Sequence, residues 1–212
     1  MKIGVVSEGA TEEGRIQLQD ELRPIEESLM GALHILVGRI IKREGSSDPE
    51  FIAPIRTRRL GKGGLMKDLG KILAAYEEEG IPIVAVVLDR AADNKTIPDI
   101  VEAARKAGVG LRVVPGQAIE MFEAWLIADE TALGAVLGRD VPTGPDPESR
   151  PGDDSDPASA KRWLDQAIGD ATRENVFDVK KEIAEKLDLD RLEDRCRHGF
   201  GRFRNDLLKA VQ

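Results

Sequence analysis

A chain of 212 residues with 41% apolar side chains is long enough to bury the core of one α/β domain, which excludes disorder of the whole molecule. The single cysteine, Cys196, excludes an intrachain disulfide, a CxxC redox pair and a cysteine-rich zinc site, and leads us to expect a cytoplasmic protein. A net charge of −8, from 39 acidic and 31 basic side chains, argues against strong non-specific attraction to nucleic acid.

In chain order, the β-branched run Lys2 to Ser7 predicts a buried strand, followed by a turn at Glu8-Gly9 and a helix that Thr11 can cap. Helical apolar spacing resumes after Pro24 and predicts a helix over about 25–43. Phe51 to Arg58 alternates as a second strand. A loop punctuated by glycines follows, then a helix from Leu65 to Glu79 with Leu65, Leu69, Ile72, Leu73 and Tyr76 on one face. Ile81 to Leu88 is almost continuous in Val, Ile and Ala, the mark of a central parallel strand, and stops at Asp89. Ile97 to Ala107 predicts an amphipathic helix, Leu111 to Val114 a fourth strand, and Ala118 to Ala128 a helix carrying Glu120, Glu123 and Trp125. A second short helix runs to about Leu137. Residues 139–157, dense in Pro, Gly, Asp and Ser, predict an exposed or disordered loop, and Phe177 to Leu187 and Gly201 to Val211 predict a helical tail. The organisation expected is an α/β domain over 1–138 with a mainly parallel four-stranded sheet flanked by helices, a linker over 139–158, and a helical C-terminal cap over 159–212. No stretch approaches the apolar length of a membrane span, so no membrane role is expected.

Open α/β sheets bind ligands beyond the carboxyl ends of their strands, and here the residues that follow strands are acidic. Glu8 follows the first strand, Glu12 lies one turn further on, and Asp89 ends the central strand, so these three can converge on one edge. Glu120 and Glu123, three apart, would share one helix face as second-metal ligands or outer bases. Carboxylates of this kind suit Mg²⁺ or Mn²⁺, which activate water for attack on phosphorus. Simpler roles stand beside these: Glu8 and Glu12 can stabilise a helix N-terminus, and Glu120 and Glu123 can be exposed positions of an amphipathic helix. Asp89 needs a partner in any case, whether an ion, an arginine or backbone donors. Arg56, Arg58, Arg59 and Lys62 form the most basic stretch, suited to a nucleic-acid backbone or to a solvated strand end. There is no Walker A spacing and no GxSxG elbow, and His34 and His198 lack a partner at metal-ligand spacing.

Four segments resemble one family. Val6-Ser-Glu8-Gly9-Ala-Thr11-Glu12-Glu13, Val86-Val-Leu-Asp89-Arg90, Ile119-Glu120-Met-Phe-Glu123-Ala-Trp125-Leu-Ile-Ala-Asp129 and Cys196-Arg-His-Gly-Phe200-Gly-Arg-Phe203 are similar, in order, to the marks of the DUF4276 proteins, Toprim-like relatives of RloG-type and OLD-family nuclease domains. The resemblance implies a Toprim-like fold and a Mg²⁺- or Mn²⁺-dependent nuclease of DNA or RNA, an effector in prokaryotic anti-phage defence or DNA repair. It often implies an ABC/AAA-type ATPase partner as well. Glu8 would be a metal ligand or general base, Glu12 and Asp89 metal ligands, and Glu123 a second-site ligand. The sequence departs from the family where Asp-x-Asp is usual: it reads Asp89-Arg90-Ala91, with Asp93 two positions late. Either Asp93 substitutes or a ligand is missing, and in the second case the chain would be a catalytically silent module that binds the ATPase. Assembly as a homo-oligomer stays open.

Overall fold

The runs Lys2–Ser7 (β1) and Ile83–Asp89 (β3) pair in parallel, from Ile3 opposite Ile83 to Ser7 opposite Val87. Both are covered on two faces, which is why their sequences are continuously apolar instead of alternating. Glu50–Ile52 (β2) lies on the far side of β1 and Arg112–Ala118 (β4) on the far side of β3, so the four strands pair in parallel with order β2-β1-β3-β4. The computed structural model describes residues 1–7, 23–45, 48–53, 64–90, 97–153, 155–169 and 173–212.

Strand alternation divides the core. Val6, Val84, Val86 and Leu88 point toward helices Gly64–Glu78 (α2) and Ile97–Ala107 (α3), whose Leu65, Leu69, Leu73, Tyr76 and Ile100 cover that face. Here Gly4 is required by space: a Cβ would lie 2.6 Å from the ring of Tyr76, whose hydroxyl donates to the Ile52 carbonyl at 2.9 Å. Ile3, Val5, Ile83, Ala85 and Val87 face the other way, onto Ala32–Arg43 (α1) and the C-terminal helices. Those helices are Ala160–Ile168 (α6), Arg173–Lys186 (α7), Leu189–Arg195 (α8) and Arg202–Val211 (α9), with Glu123–Leu126 (α4) and Glu130–Leu137 (α5) between them and the sheet in sequence. They share one continuous apolar cluster with the sheet, so α6 to α9 pack back on the first unit. Among the described residues, no helix is long and apolar enough to cross a membrane.

Several expectations shift. The helix expected over 25–43 starts at Ala32, because the chain around Pro24 is taken up by the sheet: Ile25 N–H donates to Phe51 O at 2.8 Å and Ala53 N–H to Arg23 O at 2.9 Å. The fourth strand continues past Val114 to Ala118 through Pro115, tolerated on an edge strand, and Gly116, where a Cβ would lie 2.7 Å from the Phe203 ring of α9. The helix expected over 118–128 is therefore the end of β4, a turn and the short α4. Met121 to Ala128 are all buried, and a run enclosed on every side carries no amphipathic period. The described part of the segment 139–157 is an irregular, largely exposed loop with a few fixed points. It holds a 3₁₀ turn, Pro147–Ser149, with Pro147 and Arg150 buried, and Arg195 donates to the carbonyls of Gly144 and Pro145 at 2.9 and 3.0 Å. Of the second strand expected over 51–58, positions 54–58 lie outside the described residues.

Candidate functional site at the carboxyl rim of the sheet

From β1 the sheet order leads to β2 on one side, and from β3 to β4 on the other. Such a reversal opens a crevice at the carboxyl ends of the two central strands. Asp89 closes β3 at this rim, two residues beyond the Ser7–Val87 pair that ends β1. Its Oδ1 accepts the backbone N–H of Phe122 at 2.7 Å, so the carboxylate that the apolar strand delivers finds a backbone donor just before α4. The next residue, Arg90, forms an ion pair with Glu120. Two successive residues at the end of β3 thus grip the turn after β4.

That turn is strained. Glu120 has φ of 63°, and among the described residues it is the only one other than glycine in the left-handed region. Holding a β-carbon there costs roughly 1 kcal/mol or more. The Arg90 side chain is 49% exposed and that of Glu120 18%, and a pair so placed returns at most about 1 kcal/mol. The return at best offsets the cost, so the pair by itself does not account for the strained turn.

Behind the rim the chemistry turns structural. Glu123, expected on the same helix face as Glu120, begins α4 after the strained turn and points inward, where its Oε1 meets Lys180 Nζ of α7 at 2.7 Å with both side chains buried. Trp125 sits among Phe122, Phe200 and Phe203 at ring-centroid distances of 5.4, 5.4 and 5.8 Å, all four rings buried. Asp129 caps α5 by accepting from Thr131 and Ala132, and its second oxygen accepts the Asp188 N–H at 3.0 Å where α8 begins. The π-helical turn Arg197–Gly201 is capped by Glu148, whose carboxylate accepts from His198 and Gly199 N–H at 3.1 and 2.6 Å. Cys196 is buried with its Sγ 3.7 Å from the Ala124 carbonyl, and burial first, then Glu148 and Asp146, push its thiol pKa far up. His34 packs in α1, edge-on to Phe51 with centroids 5.1 Å apart.

Of the residues singled out from the sequence, the structure brings Asp89 and Glu120 to one rim and gives Glu123 a counter-ion within the protein. Glu8, Glu12, Asp93, Arg56, Arg58, Arg59 and Lys62 lie outside the described residues. Among the described residues no group of three His, Cys, Asp or Glu side chains is placed to hold a metal ion. Sequence reasoning missed Lys180, Asp129 and Glu148 as partners. Nothing flags Lys180, whose partner is 57 positions away, whereas Asp129 carries the ordinary N-cap signal of an Asp before a helical run.

The chain is thus an α/β protein with a parallel sheet and an acidic residue at the switch point of its carboxyl rim. It belongs to the DUF4276 family, described as a domain of unknown function, whose model matches residues 8–208. No curated protein and no solved structure matches it.

Proposed function

We propose that the protein is a Mg²⁺- or Mn²⁺-dependent, Toprim-type nuclease that hydrolyses phosphodiester bonds of DNA or RNA at the carboxyl rim of its sheet. The observation that carries this reading is Asp89, an acid delivered by a fully buried strand to the crevice where the winding of the sheet reverses. The donor chemistry fits: carboxylate oxygens are hard ligands suited to these ions, and Glu8, the residue after Ser7, and Glu12 would complete a set with Asp89. A bound ion there would neutralise charge on the scissile phosphate and activate water. Glu123 is left out of the set because Lys180 already balances its charge. Phe122 N–H fixes the direction of the Asp89 carboxylate, and Arg58 and Arg59 are assigned to the nucleic-acid backbone. The setting we assign is cytoplasmic, as an effector beside an ABC/AAA-type ATPase in defence or repair.

The experiment is cleavage of supercoiled DNA and of tRNA in Mn²⁺ by wild type, Glu8→Ala and Asp89→Asn. Asn keeps an oxygen for Phe122 N–H while removing the charge. Loss of cleavage in both variants is expected, and wild-type rates in both would end the assignment.

One observation favours a second reading, a catalytically silent module that binds the ATPase. Arg90 places a permanent cation directly beyond Asp89, paired with Glu120, so positive charge at the rim is already supplied by the chain. Calorimetric titration separates the two: heat of Mn²⁺ binding that disappears in Asp89→Asn supports the nuclease, and no heat at millimolar Mn²⁺ supports the module.

A further inference from the structure

Arg90 is the described cation nearest in sequence to the acid of the rim, its side chain is half exposed, and its partner Glu120 is held in a backbone conformation that glutamate rarely adopts. We propose that this pair is a latch on the nucleic-acid site: Arg90 is the residue that receives a backbone phosphate of the nucleic acid, and Glu120 is an internal stand-in that occupies Arg90 until the phosphate displaces it. The proposal deepens the reading of the rim as a phosphodiester site and rests on it.

Three features of the site point the same way. Arg90 meets Glu120 through one guanidinium nitrogen and one carboxylate oxygen, and an arginine N–H that serves a carboxylate oxygen serves a phosphate oxygen equally, so the group that holds Glu120 can hold the ligand that replaces it. Exposure is unequal, with 49% for the Arg90 side chain and 18% for that of Glu120, so an incoming anion reaches the cation from solvent. The φ of 63° at Glu120 is held by the backbone, where Met121 N–H donates to the Ile119 carbonyl at 3.0 Å across it, so the carboxylate can leave Arg90 without the turn coming apart.

A purely structural clasp is the competing account. The turn after β4 is, however, already tied to the end of β3 by the 2.7 Å bond from Phe122 N–H to Asp89, so the Arg90–Glu120 contact is not required to hold it there. The charge of the molecule sharpens the contrast. With a net charge of −8 there is little diffuse attraction for a polyanion, and the release of one well-placed arginine is felt directly in binding.

The test is fluorescence anisotropy with labelled oligothymidylate and oligouridylate in EDTA, so that no cleavage or metal binding enters. The proteins are wild type, Glu120→Gln, Glu120→Gly, Arg90→Ala and the double variant Arg90→Ala/Glu120→Gln. Glu120→Gln is expected to tighten binding about 5-fold, the low end of coupling between linked sites. Arg90→Ala is expected to weaken it, to reduce the slope of log K against log[salt] by about 0.7, and to abolish the gain in the double variant. Glu120→Gly removes both the carboxylate and the strain, so it should bind as tightly as Glu120→Gln while unfolding at no lower urea concentration than wild type. Unchanged affinity in Glu120→Gln and Glu120→Gly, a gain that persists without Arg90, or no binding by any of the proteins would each overturn the latch. A chain that shows the latch but never cleaves loses the nuclease reading alone, and one that cleaves with its affinity indifferent to Glu120 loses the latch alone.

Discussion

Replacing Lys180 with methionine is expected to destabilise the protein by roughly 3–5 kcal/mol, because it strands the Glu123 carboxylate in the core. The magnitude follows from burial: the two side chains are 6% and 7% exposed and meet at 2.7 Å, so water cannot stand in for the lost ammonium. In urea unfolding, a loss of that size moves the midpoint down by roughly 1.5–2.5 M if the slope is about 2 kcal/mol per molar. The double variant Glu123→Met/Lys180→Met removes both charges and should recover most of the stability, since a buried pair is commonly replaceable by apolar side chains at little cost. Lys186, on the same helix and paired with Glu182 at 3.4 Å with both partners near half exposed, provides the contrast: Lys186→Met should change stability by less than about 0.5 kcal/mol. The reasoning fails if Lys180→Met unfolds within about 1 kcal/mol of wild type, or if the double variant is as unstable as the single one.

Gly4→Ala should cost about 1–3 kcal/mol by forcing a methyl group into the Tyr76 ring, read as a lowered urea midpoint. A pairing with Tyr76→Leu should reduce that penalty. Burial pushes the Glu130 carboxyl up, but the Thr143 hydroxyl and the guanidinium groups of Arg191 and Arg195 outweigh it and hold its pKa below the ordinary range. A carboxylate whose folded pKa is depressed contributes stability that is full above its unfolded pKa of about 4.3 and is lost as pH falls through the folded value. Glu130→Gln should therefore flatten the acid limb of a stability–pH profile below about pH 4.3 and leave its shape above that unchanged. The Cys196 thiol, buried and with a raised pKa, should react with a thiol reagent only as the protein unfolds, and labelling at native rates typical of a free thiol would contradict its placement.

The parts of the fold that the sequence made legible are those where one physical rule acts alone. The continuous apolar run of β3 and the period of α3 were readable because burial on two faces and burial on one face leave different patterns, and the boundaries Ile97–Ala107 coincide with Pro98 and Gly108 as start and stop signals. Where two rules compete, the reading failed. Pro115 and Gly116 look like the end of a strand, yet an edge position spares the proline and the approach of Phe203 demands the glycine. Met121 to Ala128 looks like a helix because it is apolar, whereas its enclosure on all sides leaves only the short α4 helical. The same limit applies to the site. Asp89 could be placed at a strand end from sequence, and its need for a partner foreseen, but the strain at Glu120 and its pairing with Arg90 exist only once β3 and β4 lie side by side.

Asp129 has a consequence for any attempt to dissect the molecule. One of its oxygens serves the start of α5 and the other the start of α8, helices whose capping points are 59 positions apart; Glu123 likewise finds its ammonium, and Trp125 two of its three ring partners, beyond residue 170. A fragment ending near 158 would present to solvent a carboxylate without its ammonium, an indole stripped of two of its rings and the bare flank of β4. Expression of the sheet alone is thus a route to aggregation, and the rim chemistry has to be tested in a chain that keeps its last helices.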